Sequence, residues 1–379
     1  MKKLLIALLL ITTTASAQVM TVTDTATLFA AIDSAAVKPI GKISYEGGTI
    51  KLARPITLPN QLGNKNKFSR LIIDFNGAQI EPTVPMSYVI GRAMPDSQYV
   101  ADNIMQSQGF SILNAFIDCK SLATNGIAMR ATYHDYIAHC IVISAIGEGI
   151  TEKFGMNAYI FQCEVRNCGG YGMALDRGDW TGSGFNNSGS NMASVNNSRV
   201  FPKANQTAAF ASIASGNTGF YGLIVDFAVN NKPQRGFFIN NTGTTSCKNV
   251  TVDRTWSESE VSNCHYEVIG AGGTIDLTRN YPQKGGTQVK VSGTNYTQVN
   301  VEKWGNVLGR FQAATNNGTV WRFSANAGSY DFNSTANWVN GVRPINYIIG
   351  RFGSDQTYQY FLPSNKTVKI NLKAILTAP

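Results

Sequence analysis

Apolar and polar positions along this chain alternate in short runs that return on a fixed step. Asn125-Gly126-Ile127, Glu148-Gly149-Ile150 and Tyr171-Gly172-Met173 each set a glycine before a large apolar residue, 23 residues apart. A short apolar run lies upstream of each, at 113–117, 137–143 and 160–165, and Cys140 and Cys163 repeat on the same step. A period in the low twenties, made of short strands and turn residues, predicts a solenoid. The Leu-x-x-Leu-x-Leu frame of leucine-rich repeats is absent. The expected fold is therefore all-β, a right-handed parallel β-helix with three short strands per coil. A coil cannot bury its apolar face alone and must stack on its neighbours.

The ends read differently from the middle. Asp24 predicts the N-cap of a short helix running to about Ala35, with Leu28, Phe29 and Ile32 on one face. Such a helix would plug the open end of the solenoid. Strand patterns follow at 42–45, 49–52, 56–58 and 71–75, separated by turns at Gly47-Gly48 and Asn76-Gly77. Residues 83–108 read as a long irregular loop, and the Gly-, Asn- and Ser-rich segment 181–198 as a turn insertion. Gly219-Phe220-Tyr221-Gly222-Leu223 echoes Gly169-Gly170-Tyr171-Gly172-Met173, so coils resume there. The period ends near 286. The expected divisions are a signal segment at 1–18, cap and first coils at 19–82, the β-helix at 83–286, and a C-terminal β cap or small β-sandwich at 287–379. Trp304, Trp321 and Trp338 fall in that last part, as candidate platforms for a glycan.

The stretches Tyr45-Glu46-Gly47-Gly48-Thr49-Ile50, Pro55-Ile56-Thr57-Leu58-Pro59 and Leu71-Ile72-Ile73-Asp74-Phe75-Asn76-Gly77-Ala78-Gln79-Ile80 carry a resemblance. They resemble the first coils of pectate-lyase-superfamily β-helix proteins, over residues 25–82. The resemblance implies a family of pectin and alginate lyases, polygalacturonases and phage tailspike depolymerases. For a tailspike-like chain it also implies a homotrimer. The Asn-Thr-Asp, Asp-Asp and Gly-His-Gly motifs of polygalacturonases are absent, as are the Asp-rich calcium site and Trp-Ile-Asp-His motif of pectate lyases. No family catalytic residue carries over.

Composition narrows the class. Only 15% of the 379 residues are charged and 43% are hydrophobic, which suits a strand-rich extracellular protein and argues against disorder. Lys2 and Lys3, the apolar run 4–11 and Ala15-Ser16-Ala17 read as a cleaved secretory signal, with no membrane span after cleavage. The expected location is secreted, periplasmic or cell-surface. The formal charge of +9 falls to +7 without Lys2 and Lys3. A basic surface outside the cytoplasm favours an acidic polysaccharide or cell-surface glycan. No basic cluster or motif marks nucleic acid. Six cysteines (119, 140, 163, 168, 247 and 264) permit disulfides, but Cys140 and Cys163 would stack on adjacent coils as buried thiols. No Cys-x-x-Cys pair occurs and there are three histidines, so no metal or other cofactor is expected.

The register singles out candidate chemistry. Four residues beyond each repeat glycine lie Arg130, Lys153 and Asp176, with Glu152, Arg177, Asp179 and Trp180 around them. A lyase acting on uronates must neutralise a carboxylate, the role for Arg130 or Arg177, and abstract the adjacent proton, the role for Lys153. A hydrolase needs two carboxyl groups, such as Asp176 with Asp179 or Glu152 with Asp176. Trp180 would stack on sugar under either scheme. The same column also reads as a solvated salt-bridge ladder on a structural, adhesive or glycan-binding protein. His134-Asp135 is not a working acid–base pair, because adjacent strand residues point to opposite faces.

Overall fold

The computed structural model describes residues 18–60, 62, 69–93, 108–176, 192–226, 232–240, 249–270, 274–282, 287–293, 298–301, 310–314 and 320–322. Three sheets of 11, 11 and nine strands are stacked along one solenoid, in which each strand pairs with its counterpart one coil away. One coil runs Tyr136–Ala138 in the first sheet, Ile141–Ile143 in the second and Ile150–Lys153 in the third, then Tyr159–Phe161 opens the next. The pairing is parallel throughout, apart from Val320–Arg322, which pairs antiparallel with Arg310–Ala314. The chain is a parallel β-helix.

Single residues turn the corners. Each expected apolar run spans two strands in different sheets, joined by two residues of which the first is left-handed. Asn114, His139, Gln162 and Asn197 hold φ between 48 and 55° between first and second sheets. Asparagine adopts this conformation at low cost and suits the task. His139 is exposed there. The repeat glycines answer a different need. A Cβ on Gly126, Gly149 or Gly172 would overlap Val142, Val165 or Val200 of the second sheet. Glycine thus recurs where the second and third sheets close on each other.

Side chains pointing inward form one core along the axis. Phe210, Phe237 and Tyr266 stack on consecutive coils, with centroids 5.1 and 4.9 Å apart. Cys140 and Cys163 are buried free thiols, as are Cys119 and Cys168. The helix Thr25–Ala35 covers the first coil with Leu28, Ala31, Ile32 and Ala35 buried. Asp24 caps it, accepting from the Thr27 amide at 2.8 Å, while Thr27 Oγ1 accepts from the Asp24 amide.

Three details differ from the sequence reading. Met86–Gly91 lies inside the expected 83–108 loop, yet it is a strand of the third sheet. The echo at 219–223 is out of register, because Thr218–Tyr221 belongs to the first sheet and Tyr171–Asp176 to the third. Parallel pairing also runs past residue 286. Thr287–Gly293 and Arg310–Ala314 extend the third sheet, and Gln298–Val301 extends the first. No helix among the described residues is long and apolar enough to cross a membrane.

Candidate functional site on the outer face of the third sheet

The third sheet sorts its residues by alternation. Ile127 and Met129, like Met173 and Leu175, point into the core, which sends Ala128, Arg130, Ala174 and Asp176 outward. The predicted column is in register, with Arg130 paired to Lys153 and Lys153 to Asp176. The next outward column is made of small residues: Gly91, Ala128, Thr151, Ala174 and Ala211, ending at Phe238. Glu148 and Tyr171 flank this strip on its other side, each just before a repeat glycine. The result is a narrow trough parallel to the axis with charged walls, closed over at Thr151, Ala174 and Ala211, which are 0 to 1% exposed. Thr151 Oγ1 on the floor is buried and finds no hydrogen-bond partner among the described residues.

Electrostatics concentrate on Glu148. Lys153 Nζ lies 3.5 Å from Glu148 Oε2 and 3.9 Å from Asp176 Oδ2. These three side chains are 17 to 23% exposed. Burial pushes the Glu148 carboxyl above its ordinary range against the opposing charge of Lys153; Asp176 adds to the rise and Arg130 resists it. Burial also raises the Tyr171 phenol, with Asp176 and Glu148 contributing. At the far end Tyr171 stacks on Phe238, with centroids 6.2 Å apart and planes at 12°, and the Arg235 guanidinium lies 4.8 Å over the Phe238 ring. An acid with a raised pKa, a second carboxylate, cations and an aromatic wall thus share one accessible face.

Glu152 does not belong to it, which corrects the sequence reading. It neighbours Lys153 on one strand, so the two side chains point to opposite faces. Glu152 occupies the core column between Met129 and Leu175 and is fully buried. There it meets Asp135, which is 1% exposed. Thr132 Oγ1 donates to Glu152 Oε1 at 2.8 Å, and the Phe110 amide donates to Asp135 Oδ1 at 2.7 Å. Arg92, also buried, donates to the carbonyls of Asn60, Arg130 and Ala131. Burial raises both carboxyls. The Asp135 charge lifts Glu152 further, while Thr132 and Arg92 resist the rise in both acids and the Phe110 amide resists it in Asp135.

The remaining candidates are quickly placed. Arg177, Asp179 and Trp180 lie outside the described residues, as do Trp304 and Trp338. His134 is half-buried beside the buried Asp135; it sits at a bend with φ 62° ahead of the strand Tyr136–Ala138, so strand alternation does not apply to the two. Glu148 was missed by the sequence reading. The signal was its position immediately before a repeat glycine, where Asn125 and Tyr171 also stand. Among the described residues, no three His, Cys, Asp or Glu side chains are grouped to hold a metal. A cleft of about 690 Å³ beside the cap helix is lined by Phe29, Ile32 and Arg54. Its charged residues, Asp33 and Arg54, are both exposed, so it offers no comparable chemistry.

No family model matches the chain. No curated protein matches it either. A solved structure from Geobacillus virus E2, ORF18, is similar at 15% identity with a TM-score of 0.43. The alignment covers 78% of this chain and 59% of that one. A superposition of that quality adds nothing to what the strand pairing establishes. The class is defined by the fold itself, a parallel β-helix with a charged trough on one outer face.

Proposed function

We propose that the protein is an exported β-helix of the pectate-lyase superfamily that binds an acidic extracellular polysaccharide along the third-sheet trough and hydrolyses it. The observation that carries this reading is the pairing of Glu148 and Asp176 around Lys153. Both carboxyl groups lie within 4 Å of one ammonium nitrogen, so their oxygens fall inside the ~9.5 Å limit for glycosidic hydrolysis. Glu148, raised by burial, is the proton donor to the leaving oxygen. Asp176 is the carboxylate that activates water or attacks the sugar. Arg130 and Lys153 attract substrate acid groups, and Tyr171 with Phe238 supplies a stacking wall.

Elimination is disfavoured by the surroundings of Lys153. Its ammonium is engaged by two carboxylates, Glu148 and Asp176, so it serves as a fixed cation rather than a base.

The test incubates the chain from Gln18 onward with acidic and neutral polysaccharides, reading reducing ends and the ultraviolet absorbance of unsaturated uronates. Hydrolysis yields reducing ends without that absorbance. Glu148→Gln should lower the rate at least ~100-fold while leaving the fold intact. Absorbing products would overturn hydrolysis in favour of a lyase. Silence across the panel would overturn catalysis.

A further inference from the structure

A second surface stands on the outer face of the second sheet and does not depend on the Glu148 trough. Arg254-Thr255-Trp256-Ser257 and Arg279-Asn280-Tyr281-Pro282 occur 25 residues apart. They fall in register, with Trp256 paired to Tyr281 and Ser257 to Pro282. Both arginines turn the corner between first and second sheets, at φ 53 and 51°. This places a guanidinium and an aromatic ring at matching positions on consecutive coils, about 4.8 Å apart along the axis.

The inward residues lock the outward ones. Thr255 and Asn280 are buried, at 2% and 1% exposure. Asn280 Oδ1 accepts from the Thr255 amide at 3.1 Å and from its hydroxyl at 2.8 Å. Asn280 Nδ2 donates to the Val252 carbonyl at 2.9 Å, and the Tyr266 hydroxyl joins Thr255 Oγ1 at 2.6 Å. A platform held from beneath in this way loses little freedom on binding.

The outward groups have surface to offer. Trp256 is 44% exposed, and its ring centroid lies 5.0 Å from that of Tyr281. The side chains of Arg254 and Arg279 are 63% and 62% exposed. Both pair with one buried carboxylate, Asp253, which Arg254 Nε and Arg279 Nε approach to 3.1 and 2.8 Å. Arg279 holds Asp253 through both Nε and Nη2, yet most of each guanidinium side chain stays exposed on the same face as the Trp256 ring. Guanidinium recognises carboxylate through paired hydrogen bonds, and tryptophan offers a broad apolar face with little entropy to lose.

We propose that this platform binds the acidic sugar of a linear polysaccharide, with a pyranose face on Trp256 and its carboxylate at Arg254 and Arg279. Charge complementarity and the aromatic step fit a uronate better than a neutral sugar. Single-stranded nucleic acid also stacks on tryptophan and carries negative charge, so the experiment includes it.

Titration calorimetry with an oligouronate, its neutral methyl ester and a short single-stranded DNA tests the inference. It uses the Glu148→Gln chain, in which no substrate is consumed. Trp256→Ala should weaken one oligouronate binding event about tenfold. Arg254→Gln with Arg279→Gln should abolish the preference for the acid over its ester and flatten the salt dependence. Thermal melting of both variants, in which Thr255 and Asn280 remain, controls for folding. Unchanged oligouronate binding in Trp256→Ala would overturn the proposal. So would absence of oligouronate binding, or tighter binding of the DNA. In the Glu148-intact chain, Trp256→Ala should leave reducing-end release from a short substrate unchanged, so either site can fail without the other.

Discussion

Glu148 and Glu152 are four residues apart, and burial pushes both above the ordinary glutamate range. One flanks the outer trough, and the other is sealed in the core with Asp135 and Arg92. The sealed acid is the more strongly perturbed, yet nothing reaches it. The outer one is less perturbed and keeps 17% of its side chain open to solvent, beside Lys153 and opposite Asp176. A perturbed carboxyl marks a reactive site only where a substrate can approach. The inner cluster serves the solenoid instead, joining Arg92 to the carbonyls of two coils.

The contrast predicts unequal costs. Asp135→Ala leaves the buried Phe110 amide without its acceptor, and should cost about 1–3 kcal/mol in urea unfolding. Glu148→Ala should cost no more than about 1 kcal/mol, because its ion pair is partly solvated. Equal losses would collapse the distinction between the two acids. Gly149→Ala drives a methyl group into Val165 and should cost about 1–3 kcal/mol at the junction of second and third sheets.

The pH dependence is smaller and has a definite sign. A carboxyl raised in the folded state binds more protons folded than unfolded. The contribution of Asp135 is therefore fully present below its unfolded value near ~4 and is lost as pH rises through about 6. Glu152, raised by burial, has the same sign. Asp74 and Asp253 act oppositely. Despite burial, hydrogen bonds from Asn114 and Lys42 lower Asp74, and Arg279 and Thr278 lower Asp253. Their contribution is present above ~4 and is lost as pH falls through the folded value. Melting temperatures measured across this range should show the decline on the alkaline side shrink in an Asp135→Asn, Glu152→Gln chain.

The sequence carried the solenoid in its 23-residue step, and with it the Arg130–Lys153–Asp176 column. The cap helix was equally plain from Asp24 and the apolar face behind it. Glu152 was misplaced although alternation alone separates it from Lys153. Glu148 was missed for a subtler reason. It precedes the strand Ile150–Lys153, so alternation gives it no direction, and only its place before a repeat glycine marked it. The corners hid inside apolar runs because one left-handed residue suffices to change sheets. Trp256 and Tyr281 escaped because later coils lengthen and the 23-residue step no longer holds there.

The most direct test of the account compares reducing-end release by Glu148→Gln and Glu152→Gln on an acidic polysaccharide cleaved by the parent chain. The outer acid should govern turnover: Glu148→Gln loses at least ~100-fold and Glu152→Gln retains the parent rate. The reverse pattern, or equal activity in both, would contradict the assignment of catalysis to the third-sheet trough.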